Sequence, residues 1–274
     1  MNKHLVFDDV HDFWGFAFSE SNAKNKSSRK TSSDWNGGIS WNETKRLART
    51  GWHEGLREID KFQAKESPLI ASKIVSRTPV YAQVGHTIDV GAYLSNNPEY
   101  FMATQYDERI QRGKIIKIVC SISFSEAITS KTIITRGAMV CALVDAIESA
   151  GYRAEIICNL ATSKYGMDRN GDNKEMGWFE VDVTVKKANQ HLNRTQLAFC
   201  LAHPAMLRRV MLSVAEIEGW SDYASNYGSP ATATDKGDLY IEEIFTGEIS
   251  NNEAIEWVLS ELNKLGIQIK ALEY

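Results

Sequence analysis

The chain has 274 residues, of which 43% are hydrophobic and 24% are charged, and its formal net charge at pH 7 is −4. This length and composition are typical of a globular protein that buries a full core. The acidic balance disfavours nucleic-acid binding, which rests on a basic surface. No apolar run reaches the roughly 20 residues of a membrane span, and no secretory signal is apparent, so we expect no membrane association.

The N-terminal region, residues 1–110, is irregular and rich in Trp, Gly, Ser and Asn, and we predict an α+β structure for it. Its polar, low-complexity segment 19–34 predicts a mobile loop. The next segment, 40–43, has the Ser-x-x-Glu pattern of a capping box and predicts the start of a helix. A second helix is expected over residues 53–65, and a short strand and one helical turn are expected within residues 78–102.

The second region, residues 114–274, alternates strand-like and helix-like blocks. The Ile/Val-rich run 114–123 predicts a strand that is buried on both faces. Residues 131–150 predict an amphipathic helix that ends at Gly151. Because a second strand is predicted over residues 152–161, these three elements have the spacing of a right-handed parallel crossover.

The rest of this region predicts a polar loop over residues 162–177, in which Asn170-Gly171 is typical of a hairpin turn. Phe179, Val181, Val183 and Val185 alternate with polar residues, which predicts a half-exposed antiparallel edge strand. The remaining predicted elements are helices over 195–202 and 205–217, a strand over 237–245, a helix with a capping box at 250–253, and a last strand over 267–274.

This succession predicts an α/β fold with a doubly wound, mostly parallel sheet of the Rossmann type. Over about residues 114–274, the order and lengths of the elements resemble a von Willebrand factor A domain. In that family the first strand ends in Asp-x-Ser-x-Ser, and later loops contribute a Thr and an Asp to a Mg²⁺ site. The corresponding positions here are Ser121, Ser123, Ser125, Thr246 and Glu248.

The two carboxylates that the resemblance implies are missing or displaced, because Ser121 stands at the first Asp position and Glu248 follows the Thr-Gly pair. Hydroxyl groups bring no charge to offset the dehydration of Mg²⁺. We therefore predict a degenerate ion site without a cofactor, with Mg²⁺ kept as an alternative. Since open α/β sheets bind ligands at the carboxyl ends of their strands, we expect a binding surface at these five residues.

The whole chain more loosely resembles an uncharacterised family of phage-encoded proteins, which implies a phage or mobile-element origin and supplies no reaction. The segments that carry this resemblance are Trp35-Asn36-Gly37, Gly51-Trp52-His53-Glu54-Gly55, Asp89-Val90-Gly91-Ala92-Tyr93-Leu94, and Arg136-Gly137-Ala138 with Leu143-Val144-Asp145-Ala146.

An enzymatic alternative rests on His86 and Asp89, which lie in one Gly-flanked turn near Tyr93. A His–Asp pair suits a general base and its orienting group. No G-x-S-x-G nucleophile motif accompanies the pair. We therefore predict that Asp89 is the N-cap of a short helix, and we keep a hydrolase-type site at His86 and Asp89, between the two regions, as the alternative.

The predicted function is a non-catalytic phage or mobile-element protein that acts by protein–protein binding or assembly, with a protein partner or with itself. A structural virion component is a further alternative. The four cysteines lie in apolar segments without a CxxC pair, which is typical of reduced thiols in a core. This indicates the cytoplasm, the host cytoplasm for a phage protein, as the location, unless the chain is part of a virion.

Overall fold

A computed structural model of the chain describes residues 2–19, 27–30, 33–57, 59–60, 78–83, 87–95, 97–105, 114–149, 151–167, 169–218, 230–243 and 251–265. The described strands are β1 (Asn2–Phe7), β2 (Thr78–Ala82), β3 (Thr87–Ile88), β4 (Phe101–Gln105), β5 (Ile115–Ser121), β6 (Arg153–Met167), β7 (Asn173–Lys186) and β8 (Leu239–Ile241). The described α-helices are α1 (Val10–Ala17), α2 (Ser27–Lys30), α3 (Trp41–Thr50), α4 (Val90–Leu94), α5 (Ser130–Ser149), α6 (Arg194–Ala202), α7 (Leu212–Glu218) and α8 (Asn251–Lys264). A 3₁₀ turn (Asp34–Asn36) precedes α3, and a π-helix (Met206–Met211) leads into α7.

A five-stranded sheet with the order β1-β7-β6-β5-β8 forms the centre of the protein. The strand β5 runs parallel to β6 and β8, β1 runs parallel to β7, and only the β6–β7 pair is antiparallel. The predicted α/β class with a mostly parallel sheet is therefore confirmed. The carboxyl ends of β5, β6 and β8 lie at the same end of the sheet as the amino ends of β1 and β7.

The strands β2, β4 and β3 form a separate three-stranded antiparallel sheet, in that order. The short helix α4 connects β3 to β4, and none of its residues is buried. The predicted strand and helical turn within residues 78–102 are thereby confirmed.

One face of the central sheet, the helix-covered face, carries the hydrophobic core. It is formed by alternate residues of the strands, among them Ile118 and Cys120 of β5, Ile156 and Cys158 of β6, and Phe179 and Val181 of β7. The helices α1, α3, α5, α6, α7 and α8 all contribute side chains to this cluster. Burial of this continuous apolar surface is the main favourable term in folding.

The opposite face, the polar face, carries the other alternate residues, including Ser121, Asn159, Glu180 and Asp182. None of the six helices that contribute to the core lies on this face. It is covered by the segment 230–238, whose Ala233 packs on Val119 and Ile157 in a small separate cluster. These six helices thus lie on one side of the sheet, where a doubly wound sheet has helices on both.

The longest helix, α5, packs closely on α6 because Gly137 lies at their contact. A side chain at this position would meet the Cα of Ala202 at 2.2 Å. The glycine therefore allows the two helix backbones to approach each other at a distance that any other residue would prevent.

Residues of the N-terminal region take part in the same core. The strand β1 extends the central sheet, while Phe13 and Trp14 of α1 and Leu47 of α3 belong to the cluster on the helix-covered face. The predicted division into regions 1–110 and 114–274 stays a prediction, since residues 106–113 lie outside the described residues.

Two helix starts in this region follow their predicted chemistry. The Ser40 side chain accepts a hydrogen bond from Glu43 N and begins α3, as the capping box predicts. A further helical segment, in addition to α1–α8, corresponds to the second predicted helix; it begins at residue 53 and is described to residue 60 except for residue 58.

The predicted mobile loop, 19–34, lies partly outside the described residues, at 20–26 and 31–32. Its described part contains the helix α2, where Ser28 is buried and donates to Glu216 through both its backbone N and its Oγ, at 2.9 and 2.7 Å. This short segment is therefore held against α7.

The strand β7 corrects the prediction of a half-exposed edge strand. It is antiparallel to β6, as predicted, but β1 pairs with its other side, so β7 lies inside the sheet. Glu180 and Asp182, on the face that alternation assigned to solvent, are only 1% and 9% exposed. The pattern was misleading because a buried polar face has the same alternation as a solvated one.

The predicted polar loop over residues 162–177 is also corrected, since β6 and β7 extend through most of it as a two-stranded ribbon. The ribbon turns at Asn170-Gly171, with Gly171 at φ 86°, as the hairpin motif predicts. Cross-strand hydrogen bonds satisfy the ribbon backbone, so it needs no apolar cover. The predicted capping box at 250–253 includes Ser250, which lies outside the described residues together with the predicted last strand, 267–274.

The described helices include no single one that is long and apolar enough to cross a membrane. The bent pair formed by Arg194–Ala202 and Met206–Glu218 would qualify by length and composition only when both parts are taken together. Most residues of both parts are buried in the core.

Candidate functional site at the polar face

A pocket of about 470 Å³ opens on the polar face, at the end of the sheet where β5 and β8 finish. Its walls are formed by the β6–β7 ribbon on one side and by segment 230–234 with Glu243 on the other. The segment is anchored to β6 through a hydrogen bond of 3.0 Å from Ala231 N to Ala161 O. The pocket thus lies beyond the carboxyl ends of parallel strands, the end of the sheet at which the sequence predicts a binding surface, but Ser121, Ser123 and Ser125 do not line it.

The pocket wall is acidic. Glu175, Glu180 and Glu243 line it, and none of its lining residues within the described part of the chain is Lys, Arg or His. Such an arrangement raises the local concentration of cations, because low-dielectric walls focus the field of the carboxylates.

Two aromatic side chains stand beside these carboxylates. Trp178 of β7 and Tyr165 of β6 line the pocket, and Tyr165 is 56% exposed. Aromatic faces attract cations through their quadrupole. The pocket therefore combines two kinds of group that favour a positively charged ligand.

The wall residue Glu180 is fixed by hydrogen bonds from both sides. Its Oε1 accepts from Asn159 Nδ2 at 2.8 Å and from Thr234 N at 2.9 Å, and its Oε2 accepts from Thr234 Oγ1 at 2.5 Å. These bonds tie segment 230–234 to β7. They also compensate the cost of burying a charged group.

Next to Glu180, away from segment 230–234, lie His4 and Asp182. His4 Nε2 is 2.8 Å from Asp182 Oδ2, and Asn159 Nδ2 donates to Asp182 Oδ1 at 2.7 Å. Burial raises the pKa of Asp182 above its ordinary value, although the hydrogen bonds from Asn159 and His4 oppose this. The amide of Asn159 therefore joins two carboxylates on the polar face.

Glu243 belongs to a second hydrogen-bonded group. It accepts from Thr232 Oγ1 and from the Tyr240 hydroxyl, both at 2.7 Å. Burial raises the pKa of Glu243, but the hydrogen bonds from Thr232, from its own backbone and from Tyr240, together with the charge of Lys236, outweigh this, so the pKa is lowered overall. Burial also raises the pKa of Tyr240 to about 12. Glu243 is therefore held ionised at neutral pH beside a neutral tyrosine.

The structure places two of the predicted serines under this pocket. Ser121 is fully buried, and its Oγ accepts from Ser123 N at 3.3 Å. Ser123 Oγ donates to Ala161 O at 2.9 Å and accepts from Ala161 N at 2.8 Å, so this hydroxyl continues the ladder beyond β5. Both side chains support the pocket from below, and their role in binding stays a prediction.

Ser125 does not join these two serines at the pocket. Its carbonyl oxygen accepts from Arg208 Nη2 at 3.4 Å, beside the Trp35 ring that the Arg208 guanidinium covers. Thr246 and Glu248, the other two predicted binding residues, lie outside the described residues.

For the enzymatic alternative, His86 lies outside the described residues, while Asp89 is described and is the N-cap of α4, as predicted. Its Oδ1 accepts from Ala92 N at 3.1 Å and its Oδ2 accepts from the Tyr81 hydroxyl at 2.7 Å. The hydrogen bonds from Tyr81 and from Ala92 lower the pKa of Asp89. A carboxylate with a lowered pKa and both oxygens engaged is a weak base, so the helix cap accounts for Asp89.

The residues that build the pocket and its neighbouring cluster were missed by the sequence analysis, namely His4, Asn159, Glu175, Glu180, Asp182 and Glu243. The signal for Glu180 and Asp182 was present in their i, i+2 spacing, which places both on one face of a strand. It was assigned to solvent, because nothing local shows that segment 230–238 covers that face.

A family model described as a domain of unknown function, DUF7192, matches residues 2–269, and the chain therefore belongs to this family. No curated protein and no solved structure matches the chain.

Proposed function

We propose that this member of the DUF7192 family is a non-catalytic binding protein that holds a basic side chain of a partner protein in its acidic pocket. The observation that supports this most is the composition of the described pocket wall, which contains three glutamates and no basic residue. An arginine or lysine of a partner would pair with Glu175 at the exposed rim and with Glu243 deeper inside. Trp178 and Tyr165 would pack against its charged group.

A partner protein suits this pocket better than a free small molecule. The pocket is open and polar rather than enclosed and apolar, whereas small-molecule sites are mostly lined by hydrophobic groups. The exposed β6–β7 ribbon beside it offers further surface, including Met167 and Met176, which are 80% and 49% exposed. Methionines are adaptable contact residues at binding surfaces.

The finer fold assignment, a von Willebrand A-like domain, is part of this proposal. Counted from β5, the strand order β7-β6-β5-β8 corresponds to the 3-2-1-4 order at the centre of a doubly wound sheet. The added edge strand β1 is a departure from that pattern, and so is the polar face, which none of the six core helices covers. The phage or mobile-element origin stays a prediction.

A site-specific photo-crosslink tests the binding proposal. A benzophenone amino acid at Tyr165 is expected to capture one partner through a peptide that contains arginine or lysine. The captured partner is then produced separately and titrated against the chain. Glu175→Gln and Glu243→Gln are each expected to weaken binding about tenfold, and added salt is expected to weaken it further, because the contact is between charges.

The matched control replaces Lys174, which neighbours Glu175 on the ribbon but does not line the pocket, with glutamine. Lys174→Gln is expected to leave binding within a factor of two or three of the wild type, since single exposed charges contribute little. The proposal is wrong if the captured partner binds both glutamine variants of the pocket as well as it binds the wild type.

A further inference from the structure

We propose that His4, Asp182, Glu180 and Asn159 form a binding site for one divalent transition-metal ion, of the class of Mn²⁺ or Zn²⁺. The potential ligand atoms of His4, Glu180 and Asp182 all lie within 4.8 Å of one another. Ligands held at about 2.1 Å from one ion lie about 3 to 4 Å apart. Small side-chain movements would therefore bring the three groups to a common ion.

The observation that points to an ion is the amide of Asn159. This side chain is fully buried, and its Oδ1 has no hydrogen-bond partner among the described residues. Its Nδ2 donates to both carboxylates instead, at 2.8 Å to Glu180 and 2.7 Å to Asp182. A buried amide oxygen without a hydrogen-bond partner costs free energy. We therefore infer that Asn159 has a role other than hydrogen bonding through Oδ1.

A half-turn of the Asn159 amide would exchange Oδ1 and Nδ2. The oxygen would then face Glu180 and Asp182 and would coordinate a cation held between the two carboxylates. The turn would replace the two hydrogen bonds from Nδ2 to the carboxylates by coordination of Oδ1 to the ion, and it would move the amino group to the side where Oδ1 now has no partner. The side chain can thus serve the cluster in two states, as a donor without the ion and as a ligand with it.

The backbone already holds these residues in register. His4 is paired with Glu180 across β1 and β7, and Asp182 is paired with Asn159 across β7 and β6. Sites on rigid strands keep their ligand geometry better than sites on loops. The His4 side chain is 31% exposed, so an ion can enter from solvent.

The ligand chemistry selects the class of ion. Two carboxylates bring the negative charge that offsets dehydration, and neither forms an ion pair with Lys or Arg in the described part of the chain. The imidazole nitrogen favours transition metals over Mg²⁺, which prefers oxygen ligands. The proposed ligands differ from the predicted Mg²⁺ position at Ser121, Ser123 and Ser125, although Asn159 is the neighbour of Ser121 across β6 and β5.

The experiment titrates MnCl₂, ZnCl₂ and MgCl₂ separately into the full chain after treatment with EDTA, using calorimetry and thermal unfolding. Mn²⁺ or Zn²⁺ is expected to bind with one ion per chain and to raise the melting temperature, because a ligand of the native state stabilises it. Mg²⁺ is expected to bind at least about tenfold more weakly. For Mn²⁺, electron paramagnetic resonance reports the bound ion directly.

Asp182→Asn and His4→Ala are each expected to weaken Mn²⁺ or Zn²⁺ binding by at least about tenfold, while Glu175→Gln, outside the cluster, leaves it unchanged. His4 lies on the edge strand β1, so His4→Ala still decides the question if Asp182→Asn does not fold. The proposal is overturned if neither ion binds to the wild type, or if both variants bind the ions as the wild type does.

The two proposals share only Glu180 and can fail separately. Glu175→Gln tests the partner pocket and should not change ion binding, whereas His4→Ala tests the ion site and should not change capture of a partner. A chain that binds Mn²⁺ and captures no partner would support the ion site alone, and the reverse result would support the pocket alone.

Discussion

Phe179 and Glu180 are neighbours on β7, yet their side chains lie on opposite faces of the central sheet, and both are almost completely buried. Phe179 lies in the apolar core to which six helices contribute, whereas Glu180 lies under a single irregular segment and accepts three hydrogen bonds. Burial has different physical causes on the two sides. Apolar contact drives it on the helix-covered face, and hydrogen bonding compensates it on the polar face.

The two faces of the central sheet contribute differently to stability and to binding. On the helix-covered face the strands present apolar side chains, and the charged groups buried on that side, such as Arg208 and Arg209, belong to the helical layer and donate to backbone carbonyls. We expect the packing on this face to determine stability. The polar face buries three charged or amide side chains, Asn159, Glu180 and Asp182, and loses apolar burial by doing so. Polar groups that a protein keeps buried at such a cost are candidates for function. Substitutions on the two faces should therefore separate stability from binding.

The largest effect is expected on the helix-covered face, for Phe179→Ala. Removing a fully buried phenylalanine leaves a cavity and should lower the free energy of unfolding by about 3 to 5 kcal/mol. Urea unfolding followed by tryptophan fluorescence measures the change. The control is Val6→Ala on the polar face of β1, where Val6 is 62% exposed and the loss should be small. A similar loss in both variants would contradict the division between the faces.

A pH effect of nearly the same size is expected from His203, at the end of α6. Burial between the rings of Trp52 and Phe199 lowers its pKa to about 4, from 6.5. The unfolded chain therefore binds more protons than the folded chain between these values. The contribution of neutral His203 to the free energy of unfolding should be fully present above about pH 6.5. It should fall by about 3 kcal/mol as the pH drops to 4.

The matched variant is His203→Asn, which can still accept the hydrogen bond that His203 Nδ1 accepts from Ala205 N at 3.0 Å. It should be less stable at neutral pH because it loses ring contacts, but its stability should change less between pH 6.5 and 4. Other titrating groups are common to both proteins, so the difference between the two pH profiles isolates His203. Identical pH profiles of the two proteins would contradict the inference that the buried His203 is neutral in the folded chain.

A smaller loss of stability, about 2 kcal/mol, is expected on the polar face for Glu180→Ala. This change leaves the Asn159 amino group with one fewer acceptor and removes the acceptor of Thr234 N. Glu180→Gln is the control, because it keeps one carbonyl oxygen for both donors. Chemical denaturation should give a clearly lower free energy of unfolding for the alanine variant than for the glutamine variant. The backbone amides of segment 230–238 should also exchange their hydrogens faster in the alanine variant.

The smallest effect is expected at the rim of the pocket. Glu175→Gln should change the free energy of unfolding by no more than about 0.5 kcal/mol, because the side chain is exposed on the ribbon. A larger loss of stability would show that the rim supports the fold, and it would weaken the case that Glu175 serves a ligand.

Local sequence rules predicted the elements whose signals are local. The strand β5 and the helix α5 were predicted nearly to their observed bounds, since a buried strand and an amphipathic helix each have a periodic pattern. The start of β6 was predicted as well, but its predicted end at residue 161 lies six residues before the observed one. The caps Ser40 and Asp89 and the hairpin at Asn170-Gly171 were predicted as well, because each rests on neighbouring residues. The rule for open α/β sheets also placed a binding surface at the end of the sheet where the pocket lies.

Contacts between distant parts of the chain were beyond such rules. The pairing of β1 with β7 joins residues about 176 positions apart, and it converted a predicted edge strand into an internal one. The covering of the polar face by segment 230–238 likewise buried Glu180, a residue about 50 positions earlier. Neither contact can be predicted from the local pattern of polar and apolar residues.

The sequence by itself thus determined the α/β class, the principal helices and strands, and the end of the sheet at which binding is expected. It did so because hydrophobic periodicity and capping depend on residues within a few positions of one another. Only the tertiary structure decided that Asn159, Glu180 and Asp182 are buried together and that His4 joins them. The physical reason is that the proximity of side chains on three different strands, β1, β6 and β7, depends on strand order and register, which long-range packing sets.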